Sequence, residues 1–293
     1  FAELIKQISP GSQHRDKMNA LASDLPRQIA NAHTVFNLLV TVALLPFLNS
    51  IAKLIIWILP DKKFEDRKFK TKYIDQTKKF PPSVSIKIVR EEVIHMAHLV
   101  EDMVNNFIAP FVLKEKPDII WMQQKEKEVD FLNHEINTYL LKIAGDRMNK
   151  SITNEAFTIM YAVKELENIA DITGGEYIEK APEFIENKLE FSESGKNELR
   201  QYHLQVMKQL SRAVRVFREM DPEKAREMKI KHKKYRVQAM ELEKSHYKRL
   251  IDSVEKTIDT TDVHLKLMSS LVAIYSHSTN IARIILEWYD KDK

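Results

Sequence analysis

Glycine and proline are so sparse in this chain, and so unevenly placed, that few folds remain open to it. Five glycines (11, 145, 174, 175, 195) and ten prolines (10, 26, 46, 60, 81, 82, 110, 117, 182, 222) punctuate 293 residues. Residues 83–109, 118–144, 146–173, 196–221 and 223–293 contain neither, and they are rich in Leu, Glu, Lys, Met, Arg and Ile. Such runs combine high helix propensity with no interior breaker, so long helices are the economical reading.

The apolar spacing organises these helices. In the first, Val89, Val93, Met96, Val100, Met103, Val104, Phe107 and Phe111 fall three or four apart and mark one buried face; Ser83 is the expected cap and Pro110 the bend or end. Asp118 opens a second helix with Val129, Leu132, Ile136, Leu140 and Ile143 inward and Gly145 as its C-terminal cap. A third runs from about Ile152 through Met160, Val163, Leu166, Ile169 and Ala170 to Gly174-Gly175, with Pro182 in the connection that follows. The pattern then restarts. Ser192 or Ser194 caps a fourth helix bearing Leu199, Val206, Leu210, Val214 and Phe217, Asp221-Pro222 starts a fifth, and residues 259–262 break the chain before a sixth. Sliding the chain by 112 positions lays Asn168-Ile169-Ala170 on Asn280-Ile281-Ala282, the same point of the third helix in each triad. The expected fold is all-α, with two tandem three-helix bundles over residues 81–176 and 190–290.

The N-terminal part differs in character. After a polar segment, residues 1–34, the 18 residues from Val35 to Ala52 carry no charge, and the apolar run resumes after Lys53 as far as Leu59. A transmembrane helix over residues 35–60 is expected, with Lys53 and Trp57 near an interface; a buried core helix interrupted at Pro46 is the alternative. Residues 61–80 form a basic linker with eight Lys/Arg against four in residues 1–34. That asymmetry places everything after residue 60 in the cytoplasm, although such a run is equally an ordinary solvated linker. The first residue is Phe, so a piece of a larger protein is expected.

Chemistry-bearing residues are few. Glu167 and Asp171 stand at i and i+4 on the third helix, and Glu126 and Asp130 repeat that spacing on the second. If the faces meet, four carboxylates converge on a hard or borderline cation such as Mg, Mn or Fe; otherwise neighbouring lysines neutralise them. At the equivalent positions of the second triad stand Thr279 and Arg283, so a metal is expected in the first triad alone. Two Glu-x-x-His pairs, Glu92/His95 and Glu243/His246, are what a di-iron carboxylate bundle uses, but they lie in different triads. A basic run from Lys224 to Arg236 reads as a solvated face, or as a membrane-surface or acidic-partner contact. Net charge is +4 and cysteine is absent, so no nucleic-acid partner, disulfide or zinc-thiolate site is expected. No catalytic motif appears, and an enzyme is not expected.

Two segments resemble known families. Residues 25–37, from Leu25-Pro26-Arg27 through Asn31-Ala32-His33-Thr34 to Asn37, with Leu45-Pro46-Phe47 following, resemble the entry to the last membrane helix of bacterial sodium/phosphate cotransporters. The helical part, with Leu166-Glu167 and Asp171 as its Glu-x-x-x-Asp signature, resembles the PhoU-like domain that many of them carry at the C-terminus. The resemblance implies a cytoplasmic tandem bundle that regulates phosphate transport and, in some relatives, holds iron or other metal clusters through these acids. It implies that the sodium and phosphate sites lie mostly in a membrane domain upstream, with Asn31, His33, Thr34 and Asn37 in their neighbourhood. The expected partners are thus that upstream domain, the membrane, and sodium and phosphate through the whole protein, with a homodimer among the assemblies open to it. The competing reading is a soluble helical metal-binding protein whose first 60 residues dock on the bundle.

Overall fold

A computed structural model describes residues 5, 8, 9, 17–47, 69–144, 150–252 and 255–291 of the chain. These fall into two compact units, residues 1–67 and 68–293. All regular structure among the described residues is helical: nine α-helices and one 3-10 turn.

The first unit is built on α1, Lys17–Leu44, which closes in the 3-10 turn Leu45–Phe47 at Pro46. Helix therefore begins well ahead of Val35 and continues through Pro26. Ala20, Leu21, Ala22 and Leu25 favour helix strongly enough to carry it past a proline, which removes one backbone hydrogen bond. The stretch Leu25–Phe47 is apolar, 23 residues long and nowhere buried. At 1.5 Å per residue it measures about 35 Å, against a hydrocarbon core of about 30 Å. The rest of the expected span (residues 48–60, with Lys53 and Trp57), residues 61–68 of the linker, the greater part of residues 1–16 and the cap at Gly145 lie outside the described residues.

The second unit holds α2 (Pro82–Asn106), α3 (Ala109–Val112), α4 (Ile119–Ala144), α5 (Lys150–Glu186), α6 (Glu193–Glu219), α7 (Pro222–Ile251), α8 (Glu255–Asp259) and α9 (Thr261–Lys291). Its ends follow capping chemistry. Asp118 Oδ1 accepts the Trp121 amide at 2.9 Å, Ser192 Oγ accepts the Gly195 amide, and Asp221 Oδ1 accepts those of Glu223 and Lys224. Ser83 caps nothing: α2 starts on Pro82, whose missing N–H is one that helix starts leave unpaired anyway.

Nor does α5 stop at Gly174-Gly175; it runs on through Pro182 to Glu186. Burial of Tyr177, Ala181 and Phe184 holds the extension, with Phe184 packed between Phe111 and Phe191 at centroid distances of 5.4 and 4.8 Å. Tyr177 also accepts the Asp118 amide through its hydroxyl at 3.1 Å. These contacts outweigh the glycines' low helix propensity, about 1 kcal/mol each.

Helices α2, α4 and α5 pack on one another, as do α6, α7 and α9, around one continuous apolar core. The two triads join through like helices, third on third (α5 on α9) and first on first (α2 on α6). Glu165 Oε2 on α5 meets His277 Nδ1 on α9 at 2.7 Å. These positions differ by 112, so each faces its own counterpart, as expected where an approximate two-fold axis passes between packed helices.

Candidate metal centre

Each of α4 and α5 brings two acids to the seam between them. Glu126 and Asp130 flank the fully buried Val129; Glu167 and Asp171 bracket the buried Ile169 and Ala170. A helical residue beside a core position projects at the rim of the interface, partly stripped of water yet reachable. One carboxylate oxygen each from Asp130, Glu167 and Asp171 lie within 4.8 Å of one another. Glu126 reaches the same seam against Gly174, where an added Cβ would come within 2.8 Å of Glu126 Oε2. No described glycine has a positive φ, so Gly174 serves here as clearance for a carboxylate and not as a turn.

Three of the four acids are held above their ordinary carboxylate range. Burial is the largest cause for each, even though Asp130 and Asp171 keep exposed edges. Next comes mutual repulsion: Asp130 and Asp171 act on Glu126, Glu167 acts on Asp130, and Glu167 and Asp130 act on Asp171. Lys164, hydrogen-bonded to Glu167 on its own helix, pulls Asp130 and Asp171 partly back down. An all-oxygen donor set that repels itself and is partly desolvated suits a hard or borderline divalent cation. Lys164 is the protein's own substitute for that charge, and it reaches one acid of the four directly.

The counterpart face of the second triad is built otherwise. Thr279 is fully buried, accepts from Gln209 Nε2 at 3.1 Å and lies 3.3 Å from His232 Nδ1. Arg283 donates to Asn280 Oδ1 and lines a groove with Arg226 and Lys229. Burial, then Arg283 and Arg236, hold His232 below its usual pKa.

The remaining sequence candidates go elsewhere. Glu92 is wholly buried and accepts three backbone amides, Lys72 at 3.0 Å, Tyr73 at 2.6 Å and Ile74 at 3.0 Å, clamping the start of this unit onto α2. His246 stacks on His264 at 4.6 Å, beside the Glu198 to Arg249 ion pair. Glu92 and His246, one member of each Glu-x-x-His pair, therefore belong to separate structural clusters. Sequence reasoning missed the Glu92 clamp; a glutamate within the apolar spacing of α2 was its one signal. On α1, Asn31 donates to Ser9 Oγ at 2.7 Å, the Thr34 hydroxyl donates to the Ala30 carbonyl, and His33 and Asn37 are exposed.

The PhoU domain model matches residues 93–173, from within α2 to within α5, a stretch that contains all four acids. The chain is similar to YjbB of Salmonella typhimurium, provisionally named an inorganic phosphate export protein: 23% identical over 286 residues, covering 98% of this chain and 52% of that protein. YjbB of Escherichia coli K12, named likewise, is 23% identical over 268 residues, covering 89% and 48%. The chain spans about half the length of the curated relatives it matches. In fold it is similar to PhoU from Pseudomonas aeruginosa (TM-score 0.64, 20% identity, 71% of this chain and 99% of that one). It is equally similar to the phosphate transport system regulatory protein PhoU from Streptococcus pneumoniae (TM-score 0.64, 14% identity, 72% and 97%). The second unit thus has a PhoU-like fold.

Proposed function

We propose that this chain is the C-terminal portion of a sodium-coupled phosphate transporter of the cell membrane, with α1 crossing the bilayer and residues 68–293 regulating transport from the cytoplasmic side. One observation carries the reading: an exposed apolar helix and a PhoU-like unit lie in one chain, aligned over 98% of its length with a relative named for phosphate export. Neither unit alone would favour a transporter over a soluble regulator. Phosphate flux measured in both directions across vesicles containing the full-length transporter tests it. Removal of residues 81–293 should leave flux but abolish its response to phosphate; an unchanged response refutes the regulatory role. Flux indifferent to replacing sodium by choline refutes the coupling.

In this reading Asp130, Glu167 and Asp171, with Glu126 beside them, hold a divalent cation or iron, and the second triad holds none. The support is the partly desolvated, mutually repelling oxygen set. Occupancy would stiffen the seam of α4 and α5 and so give the domain two states to couple to transport. Metal analysis after equilibration with Mn2+ or Fe2+ under reducing conditions is the direct check, and equal metal content in wild type and Asp130→Ala/Asp171→Ala would exclude these ligands.

A further inference from the structure

Helix α7 is apolar on two sides. Ala225, Met228, Ala239 and His246 are buried. On the other side Ile230, Val237, Met240, Tyr247 and Ile251 stand between 47% and 80% exposed. Successive gaps of seven, three, seven and four residues place these five on one stripe along the helix, roughly 32 Å long at 1.5 Å per residue. Lys233 and Lys244 fill the two gaps in that stripe, Lys229 and Lys248 flank it, and Glu241 is its one acid. Lys233, Lys244 and Lys248 make no ion pair among the described residues. At its N-terminal end the stripe reaches the groove, of about 570 Å3, that Arg226, Lys229 and Arg283 line together with Glu287.

We propose that this outward face of α7 docks on the anionic lipid surface of the membrane that α1 enters. The choice over a second copy of the chain follows from the lysines. In heptad register Ile230, Val237, Lys244 and Ile251 take one core position and Lys233, Met240 and Tyr247 the other. A helix pair closed on that seam would bury two ammonium groups from each copy, and its flanks would set Lys229, Lys234, Arg236 and Lys248 against Glu241 and Glu243 alone, so the cations would outnumber the carboxylates. Against lipid, the same lysines lay their stems along the apolar stripe and place their charges among phosphates, while Ile230, Val237 and Met240 enter the headgroup boundary. Tyr247 suits that depth as well. Residues 48–68 tie the unit covalently to α1, so the surface is present at high effective concentration. The proposal rests on the membrane reading of α1 above.

The chain has no cysteine, so single reporters can be placed at will. Full-length chain carrying Val237→Cys or Tyr247→Cys, labelled with a fluorophore, is reconstituted in vesicles containing brominated lipid; Phe36→Cys on α1 reports membrane insertion separately. Both α7 labels should be quenched with phosphatidylglycerol present and lose that quenching in pure phosphatidylcholine or high salt. Each lysine near an anionic surface favours docking by about fivefold, so Lys233→Gln/Lys244→Gln/Lys248→Gln should shift the docking equilibrium by about a hundredfold. These positions are exposed, and an unchanged thermal melt confirms folding. Quenching at Phe36→Cys without quenching on α7 overturns the lipid docking alone. Loss of quenching at Phe36→Cys overturns the membrane reading, while the α7 labels still report on their own face. Lipid-independent disulfide cross-linking between Val237→Cys copies assigns the stripe to a second chain and also overturns the proposal.

Discussion

Replacing Gly174 by alanine should raise the stability of the fold and weaken the metal binding proposed for it in the same stroke. Gly174 lies buried in the interior of α5, where alanine is favoured over glycine by about 0.8–1.0 kcal/mol. The new methyl would meet Glu126 Oε2 at 2.8 Å and Cδ at 3.0 Å, both at the far end of a flexible side chain, with no backbone in the way. To reach the 3.4 Å of ordinary contact the carboxylate must retreat by about 0.6 Å. Its desolvation and its repulsion from Asp130 and Asp171 both favour that retreat, so little of the helix gain is lost. For a domain of this size the melting temperature in chelator should rise by about 2–4 °C. Mn2+ affinity, read by calorimetry on the full chain in detergent, should fall by about tenfold or more, equivalent to about 1.4 kcal/mol. A lower melting temperature would mean that Glu126 is wedged in place; unchanged affinity would remove it from the ligand set. The stability gain without loss of affinity is therefore as damaging to the reasoning as a loss of both.

Other perturbations probe separate parts of the molecule. Asp171→Asn removes a repelling charge, so the metal-free melting temperature should rise while stabilisation by Mn2+ disappears; a fall in chelator would point to Lys164 pairing as the acids' main purpose. Glu92→Ala leaves three amides without their acceptor and should cost about 2–4 kcal/mol, with faster proteolysis near residues 69–80 as the local readout. His264 is held down to about 4 by burial first, then by His246, with Arg249 adding and Glu198 opposing. Its folded value lies below the unfolded one, so the contribution is intact above pH 6.5 and is lost as pH falls toward 4, up to about 3 kcal/mol. Urea denaturation of His264→Phe across that window should show a flatter pH dependence than wild type; an unchanged profile would place the acid sensitivity elsewhere.

Much of this architecture is written in the spacing of residues. Val89 to Phe111, Val129 to Ile143 and Leu199 to Phe217 repeat at threes and fours and are buried where that period places them. The acids at 126, 130, 167 and 171 were legible for the same reason, since i and i+4 share a face whatever the tertiary context. What a single chain does not encode locally is contact between distant parts. The continuation of α5 past two glycines and Pro182 depends on Phe111, 73 residues before its partner Phe184, and on Phe191 beyond the helix end, and the burial of Glu92 depends on amides 18–20 positions upstream. The outward stripe of α7 was hidden differently. With apolar residues on both faces, its periodicity blurs, and the lysines between them read simply as solvated charge.

The contact of Glu165 with His277, each facing its own counterpart, has a further meaning for how this molecule can specialise. In an assembly of two identical chains every substitution appears on both sides of the axis, so an arginine in place of an acid would disarm both halves together. Joining the halves in one polypeptide frees each side of the axis to change without the other. The result is a body with the geometry of a dimer and opposite chemistry at its two ends: carboxylates around Asp130, Glu167 and Asp171, guanidinium and imidazole around Arg283 and His232. A signal that draws a cation to one end and a negative surface to the other would then act on a single rigid piece, across helices α5 and α9 that meet in the middle.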